Sequence, residues 1–156
     1  MKRIRSKISW FLLLAGIGIL IVTTNFVGPL FFINRTESMR RGIYIKRWDN
    51  LIGNGDVVVF KSKQLRINLL KFVVAKYPSE FCVTDGGALF VDGLVVAEQN
   101  IEKHPIPESP SSRCQRLIGD ELLVLGEHPN SYDSRYFGPI KLDDVIALVE
   151  LLWDFN

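Results

Sequence analysis

The chain has 156 residues, 47% of them hydrophobic, and a formal net charge of +2, which is room for one domain and a small appendage. The charge is uneven: Lys2, Arg3, Arg5 and Lys7 crowd the first seven residues, nothing from Ile8 to Asn34 ionises, and residues 35–156 hold 15 basic against 17 acidic side chains. A slightly acidic body argues against a nucleic-acid partner.

The uncharged stretch S-W-F-L-L-L-A-G-I-G-I-L-I-V-T-T-N-F-V-G-P-L-F-F-I-N is long enough to cross a hydrocarbon layer of about 30 Å as a helix of roughly 20 residues. The reading is a basic cytoplasmic segment over 1–7, a transmembrane helix over 8–34 and an exported domain over 35–156, oriented by the positive-inside rule. Pro29 is expected to kink or end the helix. A cleaved signal peptide is the alternative, although the A-x-A-like site it needs is missing. In an oxidising compartment Cys82 and Cys114 have one way to pair, and both can equally stay free and buried. With only His104 and His128 beside them, zinc spacing is lacking, and neither metal nor another cofactor is expected.

Beyond the span the pattern is of short strands, so the domain is expected to be mainly β, a barrel or sandwich. Gly55-Asp56 turns into V-V-V-F. In N-L-L-K-F-V-V-A-K, residues 68–76, alternation puts Leu69, Lys71, Val73 and Ala75 on one face and Leu70, Phe72, Val74 and Lys76 on the other. The two lysines then have opposite parity, and one of them points inward unless a bulge intervenes. Asp85-Gly86 and Asp92-Gly93 are hairpin signals. Residues 99–116, rich in proline and serine, read as a loop, and E-L-L-V-L resumes a strand. The C-terminal V-I-A-L-V-E-L-L-W also fits a helical face and is taken as a strand.

Three stretches can carry chemistry: N-R-T-E-S-M-R-R-G-I-Y from Asn34, L-L-K-F-V-V-A-K-Y-P-S-E from Leu69, and S-Y-D-S-R-Y-F-G-P-I from Ser131. Taken singly, each has an ordinary reading: a polar turn, a strand with a solvated lysine, a surface ion pair. Together, in this order and spacing, they resemble the boxes of the bacterial type I signal peptidase family, and within it the short conjugative-transfer peptidases of the TraF type. The first resembles N-x-T-x-S-x-P-x-G-x-Y with Arg40 in the proline's place; the last resembles S-x-D-S-R-x-x-G. Pro78-Ser79-Glu80 departs from the family's P-G-D, and Gly126-Glu127-His128-Pro129-Asn130 departs from G-D-N-R.

The resemblance implies a signal-peptidase-like β domain behind one membrane anchor, on the outer side of a bacterial inner membrane. It implies Ser38 as nucleophile, Lys71 as general base, Thr36 as a hydroxyl donor to the oxyanion beside the Ser38 N–H, Ser131 as the hydroxyl orienting the lysine, and Asp133 with Arg135 as a supporting ion pair. The chemistry suits these residue types: a serine needs a base, and a lysine serves only when neutral. Leu69, Val73 and Ala75 offer an apolar face that would lower its pKa. Ser38 stands no more than about 10 Å of extended chain beyond Arg35, close to the membrane lipid. The implied partner is an exported precursor with a hydrophobic segment, and for the TraF type a conjugative pilin precursor whose ends some members join into a ring. A general signal peptidase and a non-catalytic scaffold of a secretion or conjugation apparatus are the alternatives.

Overall fold

A computed structural model describes residues 10, 12–16, 28–49, 51–84, 86–100 and 113–155, in two units, residues 1–31 and 32–156. In the first, Trp10 and residues 12–16 are helical. No helix among the described residues is long and apolar enough to cross a membrane, and residues 17–27 of the expected span lie outside them. The expected helix end at Asn34 is corrected, because Phe31–Asn34 is a strand, β1. Gly28, with φ of +68°, and Pro29 stand before it, and neither suits a continuing helix.

The second unit is mainly β. It contains β2 (Gly42–Lys46), β3 (Val57–Lys61), β4 (Asn68–Lys76), β5 (Glu80–Val83), β6 (Ala88–Val91), β7 (Leu94–Glu98), β8 (Arg113–Arg116), β9 (Glu121–Leu125), β10 (Ile140–Lys141) and β11 (Val145–Asp154). One sheet runs β1-β2-β11-β3-β4-β9-β10 and a smaller one β7-β6-β5-β8. The expected barrel does not close among the described residues, since β1 and β10 remain edges of the larger sheet. The C-terminal segment is a strand paired on both sides, with β2 and with β3. Ala147, Leu148 and Val149 are buried in succession, which is why the apolar run there lacks clean alternation.

Strand β4 positions the chemistry. Val58 pairs with Lys71 and Phe60 with Leu69, so Lys71 shares the face of Val58, Phe60 and Val73, a core completed by Leu122, Val124, Ile140 and Leu148. The β4–β9 register then slips between Val73 and Ala75. This bulge corrects the simple alternation. Ala75 passes to the opposite face and packs with Phe81, Leu89, Leu123 and Leu125 in the core that the smaller sheet shares. Lys76, opposite Leu122, returns to the Lys71 side but sits exposed at the strand end, where its Nζ donates to the Ile52 carbonyl at 2.7 Å.

In the smaller sheet, Asp92 (φ 49°) and Gly93 (φ 81°) make the turn between β6 and β7, the left-handed pair that an Asp-Gly hairpin requires. The expected loop over 99–116 is shortened: Arg113–Arg116 pairs with β5 and brings Cys114 opposite Cys82. The two form a disulfide, with Cα atoms 4.0 Å apart and a sequence separation of 32. Closing a loop of that size restricts the unfolded chain by about 3–4 kcal/mol. Cys82→Ser with Cys114→Ser is therefore expected to lower the melting temperature by roughly 10–15 °C, read by thermal unfolding. A change under about 2 °C would show that the bridge adds nothing.

Candidate active site

Asn34 ends β1, and the chain then turns sharply through Arg35–Met39 into β2. The turn is organised by the buried Asn34 side chain. Its Oδ1 accepts from the Thr36 N–H at 3.1 Å and from the Thr36 hydroxyl at 2.7 Å, while its Nδ2 lies 3.0, 2.8 and 3.1 Å from the carbonyls of Thr36, Met39 and Arg40. The Thr36 and Ser38 hydroxyls are 3.1 Å apart. Met39 is buried beneath them, and the Tyr44 hydroxyl donates to the Arg40 carbonyl at 2.7 Å.

A second loop, 126–131, leads away from β9 and is fastened to the first. The Arg40 N–H donates to Glu127 Oε2 at 2.8 Å, and the His128 N–H approaches the Ser38 carbonyl at 3.5 Å. Gly126 is the point of closest approach. A Cβ there would stand 2.5 Å from the Ser38 carbonyl oxygen and well inside contact distance of Ser131 Oγ. The backbone of Ser38 and the hydroxyl of Ser131 thus converge on one glycine. Lys71 lies within electrostatic reach of this point, because the Asp133 carboxylate that accepts from the Gly126 N–H also acts on its ammonium.

Below them lies an ion pair. Asp133 caps a one-turn helix, Ser134–Phe137, and the ion pair is buried rather than on the surface. Its carboxylate accepts from Arg135 Nε at 2.8 Å, from Arg135 Nη2 at 2.7 Å and from the Gly126 N–H at 2.8 Å. The remaining guanidinium donors go to the carbonyls of Glu98, His128, Pro129 and Ser131.

Lys71 is 2% exposed. Burial pulls its pKa down from 10.5 to about 8; the Asp133 carboxylate pushes it up again, and the Arg135 guanidinium lowers it. Ser131 Oγ is buried without a hydrogen-bond partner, so it is not bonded to Lys71 in this arrangement. An unmet buried hydroxyl costs about 1–3 kcal/mol and is a feature that calls for explanation. Of the six residues expected from the sequence, Thr36, Ser38 and Ser131 lie on two loops, Lys71 in the middle of β4, and Asp133 and Arg135 at the start of the one-turn helix. Asn34 and Gly126, in contrast, were met in the sequence without a function. Asn34 had a signal, an asparagine two residues before a threonine, the spacing of an Asx turn.

Beside Ser38 is a cleft of about 590 Å³ lined by Phe32, Ile33, Val59, Ile67, Leu69 and Leu70, with Asn34, Arg35, Thr36 and Asn68 at its polar margin. The one grouping with metal-ligand chemistry among the described residues is Glu80 with Cys82 and Cys114, whose sulfurs are bonded to each other and offer no thiolate.

Gly126→Ala follows as a test of the convergence. Because the added methyl meets backbone at Ser38, the loops must part, and a displacement of about 1 Å costs on the order of a hundredfold in turnover. Cleavage kinetics measure it, and a near-wild-type rate would mean that the two loops are not in register during the reaction.

The signal peptidase, peptidase S26 family model matches residues 5–153, and the chain belongs to that family. The family acts on precursor proteins that carry signal peptides, which makes the chain a serine peptidase by class. Among solved structures it is similar to a signal peptidase I from Enterococcus faecalis V583, at 19% identity and a TM-score of 0.44 over 65% of this chain and 98% of that one. No curated protein matches the sequence.

Proposed function

We propose that the chain is a membrane-anchored serine endopeptidase in which Ser38 attacks the scissile carbonyl and Lys71 takes its proton. The observation that carries this is the burial of Lys71 on β4, with its pKa lowered to about 8, within electrostatic reach of the Asp133–Arg135 pair that fastens the Ser131 loop. A lysine with a pKa near 8 is roughly one-tenth neutral at pH 7, against a few parts in ten thousand for a free one. The neutral amine is the base; protonated by Ser38, it then delivers that proton to the leaving amine as the acyl-enzyme forms. Ser131 Oγ, buried and without a partner, is the hydroxyl that the resemblance assigns to orienting the amine, through a bond the resting arrangement does not make. Asp133 and Arg135 hold the Ser131 loop in place.

The substrate lies extended along the outer edge of β1, which has no strand neighbour on that side among the described residues. Main-chain pairing there would supply affinity, and the apolar cleft would take alternate side chains. The resemblance in the Asn34–Tyr44 box supports the TraF-type subgroup, a conjugative pilin precursor as substrate, an inner-membrane anchor with the domain outside, and ring closure as a possible fate of the acyl group. A general signal peptidase is compatible with the same residues.

The test is to incubate the purified full chain with a pilin precursor and with an ordinary secretory precursor, and to weigh the products. Cleavage of the first alone supports the specialised reading, and cleavage of both the general one. A product lighter than the linear peptide by one water identifies ring closure. Failure to cleave either would overturn the proposal.

A further inference from the structure

The hydroxyls around Ser38 can be assigned their protons one by one. Asn34 Oδ1 must be the oxygen of the amide, because the group beside it is the Thr36 N–H at 3.1 Å, a donor. The other amide atom lies within 3.1 Å of three carbonyl oxygens, all acceptors, so it is the nitrogen. An amide oxygen carries no proton. The Thr36 hydroxyl, 2.7 Å from it, therefore donates, and its single proton is committed to Asn34. Ser38 Oγ stands 3.1 Å from Thr36 Oγ1, and the only proton left for that contact belongs to Ser38. The resting chain runs Ser38 O–H to Thr36 Oγ1, and Thr36 O–H to Asn34 Oδ1.

This arrangement differs from the expected oxyanion donor, for the Thr36 proton points at Asn34. Thr36 is exposed, and the other described hydrogen bonds of its side chain and N–H run to Asn34 and Ser38. What holds its oxygen beside the nucleophile is thus the Asn34 amide.

We infer that Asn34 is a positioning residue that acts through Thr36: it fixes the threonine oxygen next to Ser38 and holds its proton until the reaction claims it. The inference rests on the Ser38–Lys71 reading. When Lys71 removes the Ser38 proton, Thr36 Oγ1 loses the bond it was accepting. The negative oxygen then forming on the substrate carbonyl is a stronger acceptor than a neutral amide, since charge-assisted hydrogen bonds are roughly twice as strong. Rotation about the Thr36 Cβ–Oγ1 bond redirects the proton from Asn34 to that oxygen with no heavy atom moving. When the tetrahedral intermediate collapses, the proton returns to Asn34 Oδ1. No proton leaves Thr36 at any stage.

The test is a double-mutant cycle in precursor cleavage by the full chain, with Asn34→Ala, Thr36→Val and the pair. Each single change is expected to lower kcat by about tenfold to a hundredfold with KM within about threefold, as removal of an oxyanion donor does. In the Thr36→Val background, Asn34→Ala should cost less than about threefold more. A full, additive loss would show that Asn34 only braces the loop, and an unchanged kcat for Asn34→Ala would also overturn the inference. Because Asn34 also bonds the loop carbonyls, Asn34→Asp is the companion, keeping the oxygen and losing the amide donors. It should have a lower melting temperature yet keep kcat within about threefold. An Asn34→Asp protein as slow as Asn34→Ala, or one too unstable to fold, would leave the bracing as the whole role and overturn the inference. Failure of the underlying reading has a different signature: cleavage that survives Ser38→Ala.

Discussion

Lys71→Arg is expected to fold and to lose precursor cleavage by about a thousandfold or more, the upper range for a general base. An arginine keeps the charge and approximate length but stays protonated at any working pH, so it has no lone pair for the Ser38 proton. The wild-type rate should rise with pH through about 8, where Lys71 loses its proton, and level off above. Lys76→Arg should leave that profile intact, because Lys76 lies exposed at the strand end. Lys71→Met separates base from bulk: it should be inactive at every pH and more stable than wild type near pH 7. The sign follows from linkage. The folded-state pKa lies below the unfolded one, so the unfolded chain binds more protons between about 8 and 10.5, and stability rises with pH across that window. Below it the burial cost stands in full, at about 3 kcal/mol for a shift of this size. Cleavage from pH 6 to 10 and denaturant unfolding at pH 7 and 10 measure both. An active arginine variant would remove Lys71 from the chemistry.

Ser38→Ala is expected to abolish cleavage outright while changing stability by less than about 0.5 kcal/mol, the range for a surface substitution without special contacts. Ser38 Oγ makes one described hydrogen bond, to Thr36, so little packing goes with it. The loss of the nucleophile leaves Lys71 with nothing to deprotonate except water. Electrophoresis of the precursor after prolonged incubation is the measurement, and processed product at a rate near wild type would place the nucleophile elsewhere.

That one of the two lysines points inward was legible because side-chain parity is local; that it is Lys71 came from the resemblance, since parity alone leaves the choice of face open. The fate of Lys76 was not legible, since the bulge at Val73–Ala75 arises from β9 packing against a strand that serves two cores. The hairpin at Asp92-Gly93 was legible for the same local reason, the left-handed turn. The pairing of Arg113–Arg116 with β5, and with it the choice between free and bonded cysteines, depends on a contact across some thirty residues that no local pattern encodes. The open edge at β1 is likewise a property of the whole sheet. Around Ser38, the resemblance assigned roles to Thr36 and Ser38 but matched Asn34 only as a motif position, and the part inferred for it follows only from the proton accounting that distances permit.

The Arg135 guanidinium has a consequence for motion. By bonding the carbonyls of His128, Pro129 and Ser131 on one side and of Glu98 on the other, it joins the end of β7 to the loop that carries Ser131. A surface loop left to itself relaxes in nanoseconds to microseconds; this one can relax only together with a sheet. The ordering of the loop is then completed once, as the chain folds, and need not be repeated at each turnover.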